Sequence, residues 1–270
     1  MPELPEVQNF VYAIQNNYVG LNLNQITFHR DNLRYPFEKE KLKKIFSKGT
    51  TLKSCYREGK QLVLETELGA VNISLGMTGS FKPIQNQAPE KHQHVTLVFH
   101  NGKSLGYIDA RRFGFWKIRE ENVSSSICDP LNSEELKQLF YSEKISKLSR
   151  SVKTMLMDQN LIGGLGNIYV CEALFRAKIS PLLCCPEIKQ SQWKNLSEVI
   201  PSLLKQAIEQ GGSSIATYRT LNGKKGNFQN LHLVYEKHNQ KCVHAKCKGL
   251  IVRIVQQGRS TWYCPSCQKP

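Results

Sequence analysis

The most reactive pair of residues in this sequence stands at its start. The chain opens Met1-Pro2-Glu3-Leu4-Pro5-Glu6. Aminopeptidases remove an initiator Met that precedes a small residue, so Pro2 is expected to become the N-terminus. Its nitrogen is then a secondary amine with an ordinary α-amino pKa of roughly 8. A useful fraction is neutral and nucleophilic at pH 7. Such an amine attacks an aldehyde or a sugar C1′ and forms a Schiff base. From a secondary amine the adduct is an iminium, which is always cationic and a strong electron sink for β-elimination. Glu3 is adjacent, and Glu6 shares its helical face if a helix begins at Pro5. Two carboxylates beside an amine can divide acid and base work when their surroundings split their pKa values. Glutamates at a helix start also serve as plain partners of the helix dipole.

A second chemistry sits in the tail. Cys242-Val-His244-Ala-Lys-Cys247 is followed by sixteen residues and then Cys264-Pro-Ser-Cys267. Two close pairs at this separation form a zinc-ribbon pattern. Zinc takes four tetrahedral nitrogen or sulfur ligands, and a β-hairpin brings two such turns together. Cys247, Cys264 and Cys267 are expected ligands. The fourth is His244, at the usual spacing from Cys247, or Cys242, whose wider spacing is also permitted. A closed four-ligand site is structural, and a small unit with little core needs that staple. The intervening hairpin carries Arg259 near its tip. Of the nine cysteines, the other five (Cys55, Cys128, Cys171, Cys184 and Cys185) are expected to serve packing.

The turn Gly163-Gly164-Leu165-Gly166-Asn167 is a third constellation. Its glycines let backbone approach a ligand closely, and N–H groups at a helix start attract anions. Asn167 adds a side-chain donor. The chain-wide charge agrees: 37 Lys and Arg against 22 Asp and Glu give +15, a balance typical of proteins that meet a polyanion.

These groups need scaffolds to hold them. The 270 residues suggest one or two domains. No apolar run approaches the ~18 residues of a membrane span, and the acidic, proline-rich start is no secretory signal. The spacing of Val7, Phe10, Val11, Ile14 and Val19 predicts a helix over 5–19. Strands are predicted at Gln25–His29, Leu62–Thr66, Ala70–Leu75, Val95–Phe99 and Ser104–Ile108, with Asn101-Gly102 as a hairpin turn. Helical spacing takes over after Asp129-Pro130, at Leu136, Leu139 and Phe140 and over Met155–Leu161, Asn167–Ala177 and Trp193–Ile208, with Pro181, Pro186 and Pro201 as punctuation and Gly211-Gly212 as a stop to the last helix. Thr217–Gln229 reads as a polar, basic loop. The fold class is therefore α+β. An N-terminal β-sandwich with one helix spans 1–130, a helical domain 131–235 and a zinc-stapled hairpin 236–270.

MPELPEV resembles the start of the formamidopyrimidine-DNA glycosylase family, the bacterial enzymes that remove 8-oxoguanine and ring-opened purines. Ordered matches follow along the whole chain. They are Gly59-Lys60, Leu75-Gly-Met77-Thr-Gly-Ser, Lys91-His92-Gln-His94-Val and Asp109-Ala-Arg111-Arg112-Phe113-Gly. Met157-Asp-Gln-Asn, Gly164-Leu-Gly166-Asn167-Ile-Tyr169, Gly211-Gly212, Val234-Tyr235 and the tail continue the series. The resemblance implies a helix–two-turn–helix motif in the helical domain. It implies Pro2 as nucleophile, Glu3 as general acid/base, Glu6 as an orienting group and Lys60 as a contact to a phosphate beside the lesion. It implies that Met77, Arg111 and Phe113 fill the void left by an everted nucleotide, with Arg111 on the orphaned cytosine. His92, Lys153, Asn167 and Arg259 would contact DNA. The backbone of residues 218–220 would cap an oxidised guanine.

Three positions depart from the family pattern. His244 stands where the first zinc cysteine is usual, Ser74 where many members have His, and Ala110 where proline is usual. None touches Pro2, Glu3 or Lys60. The reading is a bifunctional glycosylase/AP lyase of base excision repair with one structural zinc. It would be a monomer acting on damaged double-stranded DNA in the bacterial cytoplasm, with no membrane partner. The alternatives are an endonuclease VIII-like enzyme for oxidised pyrimidines and a non-catalytic zinc-containing DNA-binding protein. Leu4 and the Arg111/Phe113 pair favour the purine branch.

Overall fold

A computed structural model of the chain describes residues 2–85, 88–120, 127–214, 219–221 and 223–269. Met1 and Tyr218, which figure in the sequence reading, lie outside them. Two compact units are present, Met1–Ser124 with Gln210–Gln229, and Ser125–Glu209 with Asn230–Pro270. The sequence reading kept 210–229 with the helices and set the hairpin apart. In the structure the loop belongs with the sandwich and the hairpin with the helices.

The first unit begins with α1 (Leu4–Tyr18), β1 (Leu23–Phe28) and α2 (Lys39–Ile45). It continues with β2 (Ser54–Glu58), β3 (Gln61–Thr66), β4 (Gly69–Ser74) and β5 (Ser80–Pro83). The last strands of this unit are β6 (Gln93–Phe99), β7 (Ser104–Ile108) and β8 (Phe115–Ile118). Two antiparallel sheets, β1-β6-β7-β5 and β2-β3-β4-β8, form the sandwich. The predicted strands and the first helix are all present. The strands β2, β5 and β8 and the helix α2 were not read from sequence. Each of these three strands buries only one side chain, Cys55, Phe81 and Trp116 in turn, which sets no apolar period, and Pro83 sits in β5. Aromatic side chains fill the core. Phe81 lies 5.4 Å from Tyr107, and Tyr107 lies 5.7 Å from Trp116, edge to face. Such pairs are worth about 0.5–1.5 kcal/mol each beyond their burial.

Strand connectivity decides where the loops emerge. The β4–β5 and β7–β8 connections both cross from one sheet to the other. They are pinned side by side, because Ser74 pairs with Phe115 and Ser80 with Ile108. Gln93 also pairs with Ile108, and Gln61 with Ser74. The segments before β3 and β6 therefore reach the same rim. Lys60, Met77, His92, Arg111 and Phe113, scattered over 54 positions of sequence, gather there by register alone.

The second unit contains α3 (Ser133–Phe140), α4 (Glu143–Ser146), α5 (Val152–Leu156), α6 (Asn167–Arg176) and α7 (Gln190–Glu209), then the hairpin β9 (Val252–Gln256) and β10 (Arg259–Tyr263). Helix α7 runs through Pro201 instead of stopping there. A buried face of Trp193, Leu196, Ile200, Leu203, Leu204 and Ala207 outweighs the one lost backbone bond.

Strand β6 hides a titratable ring. His94 is buried, and its Nε2 donates to the Asp109 carbonyl at 2.8 Å. Nδ1 is enclosed with no hydrogen-bond partner. Burial lowers the His94 pKa from 6.5, and Arg30 and His92 add to that, against the opposing pull of the bond to Asp109. Unfolding releases a ring that takes a proton near 6.5, which the folded ring resists. Stability therefore falls as pH drops below about 6.5. The Tm of the wild-type chain is expected to fall more between pH 7.5 and pH 5.5 than that of His94→Gln, measured by calorimetry. Parallel profiles would disprove the linkage.

Candidate active site and metal centre

The N-terminal turn is fixed by Glu6. Its side chain is 2% exposed. One carboxylate oxygen accepts from the Glu3 N–H at 2.8 Å, and the other accepts from the Ser213 N–H at 2.7 Å. A carboxylate at the first turn of α1 also satisfies helix donors that have no partner within the helix. Gly212, at φ +79°, makes the second bond possible. A Cβ there would lie 2.7 Å from Glu6 Oε1. Pro2 and Glu3 are buried beside this anchor. The 210–229 segment closes on itself through Asn227 N to Gln210 O and Phe228 N to Gly212 O. Leu221, 3% exposed, seats it in the sandwich core.

Lys60 occupies the two-residue turn Gly59-Lys60 between β2 and β3. Glycine at the first central position of such a turn suits a tight hairpin. Arg57 ties this turn to α1, donating from Nε to Gln8 Oε1 at 3.1 Å and from a terminal nitrogen to the Gly59 carbonyl at 3.0 Å. That link was not foreseen in the sequence, where Arg57 is one basic residue among many.

At the rim, Met77 and Phe113 are 40% and 46% exposed, although both are large and apolar. Arg111 lies over the Phe113 ring at 4.6 Å, a cation–π contact that assembles the pair before any ligand arrives. Gly76, at φ +56°, packs so closely that a Cβ would stand 2.5 Å from the Phe113 carbonyl carbon. Beneath them Asp109 is fully buried. Its Oδ1 accepts from Thr78 Oγ1 at 2.5 Å and from Arg111 N at 3.2 Å, and its Oδ2 accepts from Gly114 N at 2.8 Å. Removing such an acceptor strands each donor at about 1–3 kcal/mol. Sequence reading quoted Asp109 within a motif and gave it no role.

In the second unit, α5 and α6 are joined by turns that Gln159 stitches together. It accepts from Gly164 N at 3.1 Å and donates to the Leu165 carbonyl at 2.7 Å. Asn167 opens α6 and donates to the Ser260 carbonyl at 2.9 Å. Lys153, read as a DNA contact, is 2% exposed, and its Nζ donates to Thr261 Oγ1 at 2.6 Å. Burial holds its pKa below 10.5, and the nearby Arg259 pushes the same way. Lys153, Arg150 and Arg259 line a cavity of about 260 Å³, and Arg259 itself is exposed at the start of β10. Glu172, fully buried on α6, accepts from the N–H groups of Leu233, Val234 and Tyr235 and pairs with Arg176.

The metal centre resolves the choice left open by spacing. The sulfurs of Cys242, Cys247, Cys264 and Cys267 all lie within 4.8 Å of one another. The Cys242–Cys267 and Cys247–Cys264 separations are 3.7 and 3.6 Å. Zinc–sulfur bonds of ~2.3 Å in a tetrahedron require edges near that length, so the four thiols fit one structural zinc ion. His244 is not in the set, which corrects the reading that placed it first. Its ring stacks on Phe175 at 4.3 Å and 11°, and its Nδ1 stands 3.2 Å from Cys267 Sγ. The wider Cys242-x4-Cys247 loop makes room for that stack. Cys171 and Phe175 of α6 pack against the same cysteines and Trp262. His244→Ala is expected to retain one zinc per chain by elemental analysis, and Cys242→Ser to lose it or release it rapidly to a chelator. The reverse result would restore His244 as the ligand.

Family models place these features in a lineage. Residues 1–116 match the formamidopyrimidine-DNA glycosylase N-terminal domain, residues 128–219 the H2TH domain of the same enzymes, and residues 239–270 a zinc finger found in FPG and IleRS. The formamidopyrimidine-DNA glycosylase of Gluconobacter oxydans is 37% identical over 279 residues, covering all of both chains. That of Vesicomyosocius okutanii is 35% identical, covering 99% of this chain and all of its own. Among solved structures, a Lactococcus lactis FPG mutant in complex with a Fapy-dG containing DNA superposes with a TM-score of 0.86. It shares 33% identity, and both chains are fully covered. MutM in complex with carbocyclic 8-oxo-G containing DNA gives 0.85 at 32% identity, again covering both chains fully. The chain, with its buried N-terminal carboxylates, its rim of exposed apolar residues and its four-cysteine hairpin, belongs to the formamidopyrimidine-DNA glycosylase family.

Proposed function

We propose that this protein excises oxidised purines from double-stranded DNA and then cuts the strand, with Pro2 as the nucleophile. The fixed N-terminal turn carries the reading. A residue whose nitrogen becomes a secondary amine stands next to Glu3, while Glu6 is committed to backbone N–H groups and cannot compete for the proton work.

The target base must first leave the stack, at a cost of a few kcal/mol. Phe113 wedges between bases, Met77 fills the gap, and Arg111 offers its guanidinium to the orphaned cytosine. Lys60 and His92 on the rim hold phosphates, as do Asn167 and Arg259 in the second unit. Lys153 supports Arg259 from below through its hold on β10. Pro2 nitrogen attacks C1′, the base departs with its bonding electrons, and the nitrogen gives up its proton. The C1′–O4′ bond then breaks as Glu3 delivers a proton to O4′, which opens the sugar and leaves C1′ double-bonded to the proline nitrogen. The resulting iminium draws electrons from C2′ when that carbon loses a proton. The 3′-phosphate leaves in β-elimination, and a second elimination expels the 5′-phosphate. The zinc supplies no chemistry; it staples the hairpin that carries Arg259. The remaining positive charge supports salt-sensitive searching along DNA. The protein acts as a monomer, and its place of work is the bacterial cytoplasm.

Borohydride reduction in the presence of an 8-oxoguanine duplex is expected to trap one covalent protein–DNA adduct when mass spectrometry shows Met1 removed. A chain that keeps Met1, or one carrying Pro2→Glu, gives none. Glu3→Gln is expected to slow base release by roughly 10²–10⁴-fold. Absence of an adduct from correctly processed protein would leave the non-catalytic DNA-binding reading. Faster release of oxidised pyrimidines than of 8-oxoguanine would favour the endonuclease VIII-like one.

A further inference from the structure

The two crossover loops of the rim meet at one side chain that the mechanism above does not use. The Asp109 carboxylate takes Thr78, next to Met77, on Oδ1 and Gly114, next to Phe113, on Oδ2, with Arg111 N also on Oδ1. Thr78 Oγ1 accepts in turn from Arg111 N at 3.0 Å. The Asp109 main chain completes the set. Its N–H donates to His92 O at 3.0 Å, and its carbonyl accepts from Arg112 N at 3.3 Å and from His94 Nε2.

Two residues joined to this main chain, His92 and Arg112, have φ of 66° and 57°. Left-handed backbone at such residues is uncommon and persists only where surrounding contacts enforce it. An aspartate is specifically required. Both of its oxygens face donors, so the isosteric amide of Asn would turn an N–H toward an N–H. A wedge held this way resists recoil when it is pushed against stacked bases.

We propose that Asp109 is a positioning residue for base eversion. Its carboxylate and main chain set the single arrangement in which Met77, Arg111 and Phe113 enter the duplex while His92 meets the strand. This rests on the reading of those three side chains as void fillers.

The test compares single-turnover base release by Asp109→Asn, Thr78→Val and Phe113→Ala on two substrates. One is an 8-oxoguanine·C duplex with 2-aminopurine beside the lesion. The other carries the same lesion opposite a one-nucleotide gap, where no partner base must be held apart. Asp109→Asn is expected to lose roughly 10–100-fold on the duplex, with a matching loss of the 2-aminopurine fluorescence rise, and to stay near wild type on the gapped substrate. Thr78→Val, which removes the hydroxyl's two contacts to Asp109 and Arg111 at a partly exposed position but leaves the carboxylate in place, shifts both readouts the same way by less. Equal losses on both substrates would mean general damage and overturn the proposal. So would a wild-type duplex rate for Asp109→Asn and Thr78→Val alongside a slow Phe113→Ala. A wild-type rate for Phe113→Ala on the duplex would instead reject the void-filling reading, and the proposal with it.

Discussion

Among the described residues, three carboxylates are buried to 2% or less and satisfied mainly by backbone N–H groups: Glu6, Asp109 and Glu172. A carboxylate taken from water without partners is prohibitively unstable. Given two or three amide donors it becomes the opposite, a rigid node holding segments distant in sequence. Glu6 joins the start of α1 to Ser213, 207 residues away. Asp109 joins the two crossover loops of the sandwich. Glu172 gathers residues 233–235 onto α6. The N-terminal turn, the rim that carries Met77, Arg111 and Phe113, and the entry to the four-cysteine hairpin each depend on one of these nodes.

The nodes explain how short irregular segments hold exact positions. Loops lack the repeating hydrogen bonds of helices and sheets, so their backbone groups need other partners. Here those partners are side-chain acceptors seated in the core. The second unit uses the same principle with donors. Asn167 and Lys153 both bond β10 at Ser260 and Thr261, welding the hairpin to α5 and α6. The zinc cysteines finish the job on the other side, packed with Cys171, Phe175 and Trp262. Arg259 thus projects from a platform braced twice, once by metal and once by buried polar contacts.

Much of this was readable in advance, and the gaps have physical causes. The strands with apolar residues in alternation or in a run were legible, and β2, β5 and β8, which each bury a single side chain, were not. Their burial is set by neighbours across the sandwich, which no local pattern encodes. The helical spacing of Trp193–Ile208 was legible across Pro201, because a long buried face prevails over the local proline rule. Of the five cysteines read as packing groups, Cys184 is only partly buried. Lys153 was read as a DNA contact from the family resemblance alone, which carries no information on its burial. Its burial follows from Thr261, 108 residues away.

The sequence alone determined the chemistry: a proline able to become a secondary amine, two adjacent glutamates, a ribbon of thiols and a large positive charge. Those are properties of residue type and spacing, which survive any fold that brings them to a surface. The tertiary structure decided what spacing leaves degenerate. Spacing in the chain permitted both His244 and Cys242, and sulfur separations near a tetrahedron's edge, with the imidazole stacked on Phe175, chose the cysteine. Asp109 was one acid among 22 Asp and Glu. Strand register, which is a property of partners and not of either strand, brought Thr78, His92, Arg111 and Gly114 to it and made it the centre of the rim.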